Sequence, residues 1–341
     1  MTTILLTGGG TGGHIMPNIA LLPELKKRFD KIYYAGVKGG REEGIAAAHS
    51  IPFIAVPAIK LDRSNKLSNL AIPLKFPKCV RAAKKALRGI SPDVVFCKGG
   101  FVSLPCAYAA RSLGIPVITH ESDLSLGVAN RLISKFSEAT ITSYESTDGG
   151  NNSVYIGNPL RDELLYAVAS PLPITCDRTK PVILVVGGSC GARSLNEAIW
   201  SNLDRLCERY NILHITGSAD NPAHAGYYPI SYTDRIFDYY KAADGVISRC
   251  GAGAACELLA LRKRILFVPL SNKASRGDQV ANAEYYKDKG YALTCNEAQL
   301  SSDAIYWIDK LLSMPPPAYI RDREINSKIA QLCYDIACKS K

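Results

Sequence analysis

The stretch Gly245 to Ala283, GVISRCGAGAACELLALRKRILFVPLSNKASRGDQVANA, decides how the chain is read. Val246-Ile247-Ser248 forms a strand-like run that ends at Arg249-Cys250-Gly251-Ala252-Gly253. Ala254 to Leu261 then carries apolar residues at helical spacing, Ala255, Leu258 and Leu259. A strand, a tight turn and a helix start follow in that order. A second strand, Ile265 to Pro269, leads through a polar loop with Ser271, Ser275 and Arg276 to Asp278-Gln279, which open another helix. Two βα turns side by side set exposed N–H groups and a helix dipole along one sheet edge, where phosphates bind. Glu257, one turn inside the first helix, suits the two hydroxyls of a ribose, and Gln279 suits sugar hydroxyls or phosphate oxygens. The plainer alternative is an ordinary α/β crossover, with Glu257 favoured only by the helix N-terminus and Gln279 solvated.

The same logic recurs at the N-terminus. Thr3 to Thr7 reads as a strand, Gly8-Gly9-Gly10-Thr11-Gly12-Gly13-His14 as its turn, and Pro17 to Arg28 as an amphipathic helix. Gly8, Gly10 and Gly13 formally satisfy G-x-G-x-x-G, so a dinucleotide-dependent epimerase or dehydrogenase has to be weighed. That reading also needs an acid at the end of the second strand to hold a ribose, and Lys31 to Gly36 ends without one. The loop places His14 directly after the glycines instead. An imidazole there either braces the turn or acts as a general base, since its ordinary pKa, about 6.5, leaves it neutral at cytoplasmic pH.

Further along, Asp93 to Cys97 is a strand with Lys98 to Ser103 as its turn, and Val117 to Thr119 ends in His120-Glu121-Ser122-Asp123. Polar clusters at strand C-termini are where an open parallel sheet places ligands. Gly157 to Arg161 leads into the Pro-rich Ser170 to Pro173, which reads as the linker. Val182 to Val186, followed by Gly187-Gly188-Ser189-Cys190-Gly191-Ala192-Arg193, starts a second series with strands at Ile212 to Thr216, Gly245 to Ser248, Ile265 to Val268 and Tyr291 to Leu293. The alternation predicts an α/β fold with two Rossmann-like domains. The first is expected over 1–158 and the second over 159–319, with a final helix, about 320–341, free to cross back onto the first domain.

Length and composition agree. At 341 residues, 47% hydrophobic and 21% charged, the chain is long enough for two globular cores. A net charge of +10 and a pI near 9.0 point to an anionic partner. Aromatic residues are only 8% and form no stacking array, so nucleic acid is not the expected partner. From Lys60 to Arg88 nine basic residues face one acid, Asp62, and are mixed with Ile72, Leu74, Phe76 and Val80. That mixture suits an anionic membrane surface, unless Phe76, Val80, Ala83 and Leu87 are simply the core face of a helix with solvated lysines. No run approaches the roughly 18 apolar residues of a membrane span. Met1-Thr2-Thr3 runs straight into a strand, so a cytoplasmic protein without a leader is expected. The eleven cysteines are scattered and form no C-x-x-C pair, which predicts reduced thiols and no zinc site.

The opening stretch, with S-R-x-G…E-L-L-A-L…P-L…A-S-R-G-D-Q…N-A, resembles the donor site of the MurG family in its Gram-positive form. These N-acetylglucosaminyltransferases convert lipid I to lipid II in peptidoglycan synthesis. The N-terminal glycine loop with His14, Gly99 to Ser103, His120 to Asp123, Gly157 to Arg161 and Gly187 to Ala192 resemble the family in the same order, so the likeness covers nearly the whole chain. It implies a GT-B architecture: two facing Rossmann-like domains with parallel sheets and a cleft between them. It also implies inverting transfer of GlcNAc from UDP-GlcNAc to the MurNAc 4-hydroxyl of lipid I, on the cytoplasmic face of the membrane. His14 and Glu121 carry over as catalytic, and Thr11, Gly12, Gly13, Asp123, Arg161, Ser189, Thr233, Ala252, Gly253, Ala254, Ala255, Cys256, Glu257 and Gln279 as donor-binding. No D-x-D motif is present, so neither a metal nor a cofactor is expected, and helix dipoles would stabilise the departing diphosphate. Cys190, Phe101 and Ala252 to Ala255 depart from the commoner residues and bear on base packing. A lipid transferase using diacylglycerol, and a binding module without chemistry, are the alternatives.

Overall fold

The computed structural model describes residues 1–60, 72–166, 168, 170–172, 174–188, 191–218, 220–270 and 277–339. The chain divides into two compact units, Met1–Arg161 with Asp322–Lys341, and Asp162–Arg321.

The first unit runs β1 (Thr3–Thr7), α1 (Gly12–Leu25), β2 (Lys31–Gly36), α2 (Arg41–Ala48), β3 (Phe53–Ala55), α3 (Ile72–Ile90), β4 (Val94–Cys97), α4 (Ser103–Ser112), β5 (Val117–Glu121), α5 (Val128–Ile133), β6 (Ala139–Thr142) and β7 (Ser153–Tyr155). Its seven strands are parallel in the order β3-β2-β1-β4-β5-β6-β7. Both faces of this sheet are covered, which is why its strands read as apolar runs and not as alternating patterns. Ile4, Leu6, Val94 and Phe96 pack on one side, whereas Leu5, Val95 and Cys97 pack on the other with α3 and α4.

The second unit runs α6 (Asp162–Tyr166), β8 (Val182–Val186), α7 (Arg193–Trp200), α8 (Leu203–Arg209), β9 (Asn211–Ile215), β10 (Tyr227–Ile230), α9 (Ile236–Ala242), β11 (Gly245–Ser248), α10 (Ala252–Ala260), β12 (Arg264–Phe267), α11 (Asp278–Asp288), β13 (Leu293–Thr294), α12 (Glu297–Ser302) and α13 (Ala304–Ser313). Its six parallel strands take the order β10-β9-β8-β11-β12-β13. The strand order reverses between β1 and β4 in one unit and between β8 and β11 in the other. Those are the positions at which doubly wound sheets bind ligands.

The last helix, α14 (Ile325–Lys339), belongs to the first unit: Ile325, Ile329, Ala330, Cys333 and Ala337 complete the core that α1 begins with Leu21 and Leu25. It starts later than Ile320, which is 92% exposed. The N-terminal helix corrects the expectation in the other direction, because α1 begins at Gly12, not Pro17, and takes Gly13 and His14 into its first turn. On α3 the buried residues are Cys79, Ala83 and Leu87, spaced by four, with Phe76 and Val80 only half-buried. Its lysines and arginines at 75, 78, 81, 85 and 88 are exposed. Residues 61–71, with Asp62, Arg63 and Lys66, lie outside the described residues, as do Ser271, Ser275 and Arg276. Among the described residues the ten cysteines are free, and no helix is long and apolar enough to cross a membrane.

Candidate active site

In the first unit the turn after β1 and the turn after β4 interlock. Gly10 lies at φ +85°, and a Cβ on it would sit 2.7 Å from the Phe101 ring. A Cβ on Gly100, at φ +79°, would meet the Gly9 carbonyl at 2.7 Å and His14 Nδ1 at 3.1 Å. Glycine is required at both points so that the half-buried His14 ring can lie against the β4 turn. Thr11 is the N-cap of α1, yet its hydroxyl pairs with His14 Nδ1 at 3.1 Å and leaves the backbone uncapped. Behind the turn, the buried Tyr34 donates to the Gly8 carbonyl at 2.6 Å and accepts from Asn18 at 3.1 Å. Burial pushes the Tyr34 phenol pKa up, and the nearby Glu42 charge adds to the rise against the Asn18 hydrogen bond.

Two strands along, the C-terminal end of β5 is a saturated polar cluster. Glu121 Oε1 accepts from the Ser122 and Asp123 amides at 2.9 and 3.1 Å, and Oε2 from the Gly127 amide and Asn130 Nδ2 at 2.8 Å each. Lys98, 1% exposed, donates to Ser122 Oγ at 2.7 Å, and Ser122 donates to Asn158 at 2.6 Å. His120 donates from Nε2 to the Gly157 carbonyl at 2.9 Å, and burial together with the Lys98 cation holds it neutral, well below the usual imidazole range. The cluster ties three turns together and leaves Asp123 and Arg161 half-buried at its margin.

In the second unit the chain leaves β11 through Arg249 and through Cys250, whose φ of +50° is unusual for a residue with a side chain. Gly251 caps α10. Among the described residues, a Cβ on Gly251 or Gly253 would have no atom within 4 Å, which leaves room at the N-terminus of α10. Ala252 and Ala255 are buried, Ala254 and Cys256 are half-buried, and Glu257 stands half-buried on the turn above Gly253 and Ala254. After the neighbouring strand β12, Gly277 at φ +87° caps α11, and Gln279 Oε1 accepts from the Leu270 amide at 2.9 Å. One end of the Gln279 amide thus holds the β12 loop. Thr233 accepts from the Arg235 amide at 3.0 Å ahead of α9. Ser189 lies outside the described residues; its neighbour Gly188, at φ +102°, has no atom of the described residues within 4 Å of a Cβ.

Two supports of this half were not read from the sequence. Arg249, 5% exposed, donates to the Val268 carbonyl at 3.0 Å and to Ser194 at 2.8 Å, and pairs with Glu297. Burial raises the Glu297 pKa, but the Ser194 hydrogen bond and the Arg249 charge outweigh it and the net shift is downward. A second chain runs from Trp200 Nε1 to Tyr227 OH, Tyr227 to His214 Nδ1, His214 Nε2 to Asn196 Oδ1, and Asn196 Nδ2 to the Thr216 carbonyl, all at 2.7–3.0 Å. That carbonyl would lie 2.4 Å from a Cβ on Gly191, so the relay sits directly beneath the glycine turn after β8. Glu42 is the missed residue of the first unit. The pairing of an acid in a helix's first turn with upstream glycines, GVKGGREE, was the available signal.

Comparison with known proteins agrees with this layout. Residues 4–142 match the glycosyltransferase family 28 N-terminal domain and residues 182–333 its C-terminal domain. A Clostridium botulinum (strain Alaska E43) protein named UDP-N-acetylglucosamine–N-acetylmuramyl-(pentapeptide) pyrophosphoryl-undecaprenol N-acetylglucosamine transferase is 41% identical over 91% of this chain and 89% of its own length. A Clostridium novyi protein of the same name is 38% identical over 97% of this chain and 96% of its own. Among solved structures, Acinetobacter baumannii MurG superposes with a TM-score of 0.70 at 25% identity, covering 100% of this chain and 94% of that one.

Proposed function

The chain belongs to glycosyltransferase family 28, and from that premise we propose that it performs the reaction for which its relatives are named: inverting transfer of GlcNAc from UDP-GlcNAc to the MurNAc 4-hydroxyl of lipid I, giving lipid II. The observation that carries this reading is a division of labour between two turns of the same topology. One is packed around an imidazole, and the other leaves room, among the described residues, at a helix N-terminus with a carboxylate one turn behind it.

In this reading His14 is the general base. Assigning the Nδ1 proton to the bond with the Thr11 hydroxyl gives Nε2 the lone pair that takes the proton of the acceptor hydroxyl as its oxygen bonds to the anomeric carbon and UDP departs. The glycine turn at Thr11-Gly12-Gly13, the turn at Ser189 and Arg161 stabilise the diphosphate; Ala252 to Cys256 and Thr233 line the nucleoside, Asp123 lies beside the donor, Glu257 holds the ribose and Gln279 the sugar or diphosphate. All four acceptor positions that Glu121 uses serve its own turn. It therefore acts on catalysis by setting the His120 to Gly127 loop and not as the proton acceptor.

The exposed cations of α3, beside Leu74 at 79% exposure, support peripheral docking on an anionic cytoplasmic leaflet. UDP release measured with lipid I and with diacylglycerol as acceptors tests the whole reading. Turnover is expected with lipid I, and turnover with diacylglycerol alone would overturn it.

A further inference from the structure

The Glu42 carboxylate of the first unit is accommodated by the absence of side chains around it. Glu42, the second residue of α2, is only 2% exposed. A Cβ on Gly36 would lie 2.3 Å from its Cγ, and a Cβ on Gly9 or on Gly40 would lie 2.7 Å from Oε1. Three glycines, one in the β1 turn, one ending β2 and one capping α2, thus form a cradle for a single carboxylate. Oε1 accepts from the Val37 amide at 3.0 Å, and Oε2 faces the Gly10 amide at 3.5 Å.

Backbone N–H groups in a glycine turn at a helix N-terminus ordinarily face a bound phosphate. Here an acid of the chain itself takes that place. The carboxylate stands against Gly9 and the Gly10 amide, while Phe101 stands against Gly10 and the His14 ring against Gly100, which itself abuts the Gly9 carbonyl. A shift of Gly9 or Gly10 would therefore move the backbone from which α1 and His14 start.

We propose that Glu42 is the built-in counter-anion of the N-terminal glycine turn, a positioning residue that fixes the Gly9-Gly10 backbone and through it the placement of His14. This rests on the reading of His14 as the base. The full-length chain carrying Glu42→Ala, Glu42→Gln or His14→Ala separates the two ideas. Glu42→Ala is expected to lower kcat by about tenfold to a hundredfold, the cost of misplacing a reacting group, with the UDP-GlcNAc KM within about twofold of the parent. Glu42→Gln keeps the shape but turns an N–H₂ toward amide donors, so its kcat is expected to fall as well. Formate, small enough for the space a Glu42→Ala side chain leaves, is expected to restore turnover to that variant and not to His14→Ala. Parental kcat in either Glu42 variant would overturn the proposal, as would formate that restores the melting temperature without restoring turnover. Normal turnover in His14→Ala beside depressed Glu42 variants would overturn the base assignment instead.

Discussion

The two units share one order over six strands, and each places glycine turns at the point where that order reverses, yet the turns differ in how much room they leave. In the first unit Gly8, Gly9, Gly10 and Gly100 all have a neighbouring atom within 2.5–2.7 Å of where a Cβ would stand. In the second, Gly187 and Gly191 are as crowded, each with an atom at 2.4 Å, whereas Gly188, Gly251 and Gly253 have none within 4 Å among the described residues. Glycine serves close internal packing at the first unit's turns and in part of the turn after β8, and leaves room for access at Gly188 and at the start of α10. A G-x-G-x-x-G pattern therefore does not by itself identify a nucleotide site. What fills the turn decides it, and in the first unit protein groups fill the Gly8 to Gly10 part while Gly13 has its nearest atom at 3.9 Å.

The strongest way to break this contrast is at the crowded turn. His14→Ala is expected to reduce kcat by about 10²–10⁴-fold, the usual span for a general base, while donor affinity, assigned to the open half, stays near its parental value. A near-normal kcat in a variant with parental melting temperature would leave the first turn without a chemical role. The supports beneath the second turn offer the next test. Burial holds His214 at about pKa 3 in the folded chain, against about 6.5 unfolded, so below about pH 6.5 the unfolded state binds the extra proton. Its contribution is fully present above pH 6.5 and is lost at about 1.4 kcal/mol per pH unit as pH falls toward 3. Denaturant titrations of the parent and His214→Gln between pH 7 and pH 5 are expected to diverge in slope, and parallel curves would count against a neutral His214. Glu257→Ala sharpens the open side. A loss of roughly 1.5–3 kcal/mol, the range for a hydrogen bond to a charged group, is expected mainly in the UDP-GlcNAc KM. An unchanged KM would remove Glu257 from the donor site. The smallest effect per residue lies outside both turns: replacing Lys75, Lys78, Arg81 and Lys85 with Ser is expected to weaken binding to anionic vesicles by about 1 kcal/mol per charge, and added salt to mimic it. Binding indifferent to both would confine α3 to a structural role.

Much of this was legible in the chain because the turns announce themselves locally. Strand, glycines and helix follow within a dozen residues at Thr3, Val182 and Val246, so the two parallel sheets and the residues at their switch points could be read directly. Glu42, Arg249 with Glu297, and the relay from Trp200 to Asn196 could not, since each depends on partners brought together by the fold. Glu42 was missed for a specific reason: the acid was sought at the end of β2, whereas it reaches back from the next helix through space kept clear by Gly36 and Gly40. The start of α1 was missed because Pro17 looked like a helix beginning. The proline stands six residues in, where the amide it lacks would have paired with Gly13.

The return of α14 to the first unit also sets an order of events during synthesis. The second unit is continuous from Asp162 to Arg321 and has all of its strands once that stretch has left the ribosome. The first unit has emerged earlier but lacks Ile325, Ile329, Ala330, Cys333 and Ala337, so the apolar faces of Leu21, Leu25 and Phe29 stay without their cover until α14 has emerged. The half made first is therefore the half completed last, which inverts the usual N-to-C order of domain folding. A nascent chain stalled just before α14 would carry a finished second unit and an unfinished first one, and a chaperone or protease acting there would find its target at the N-terminus.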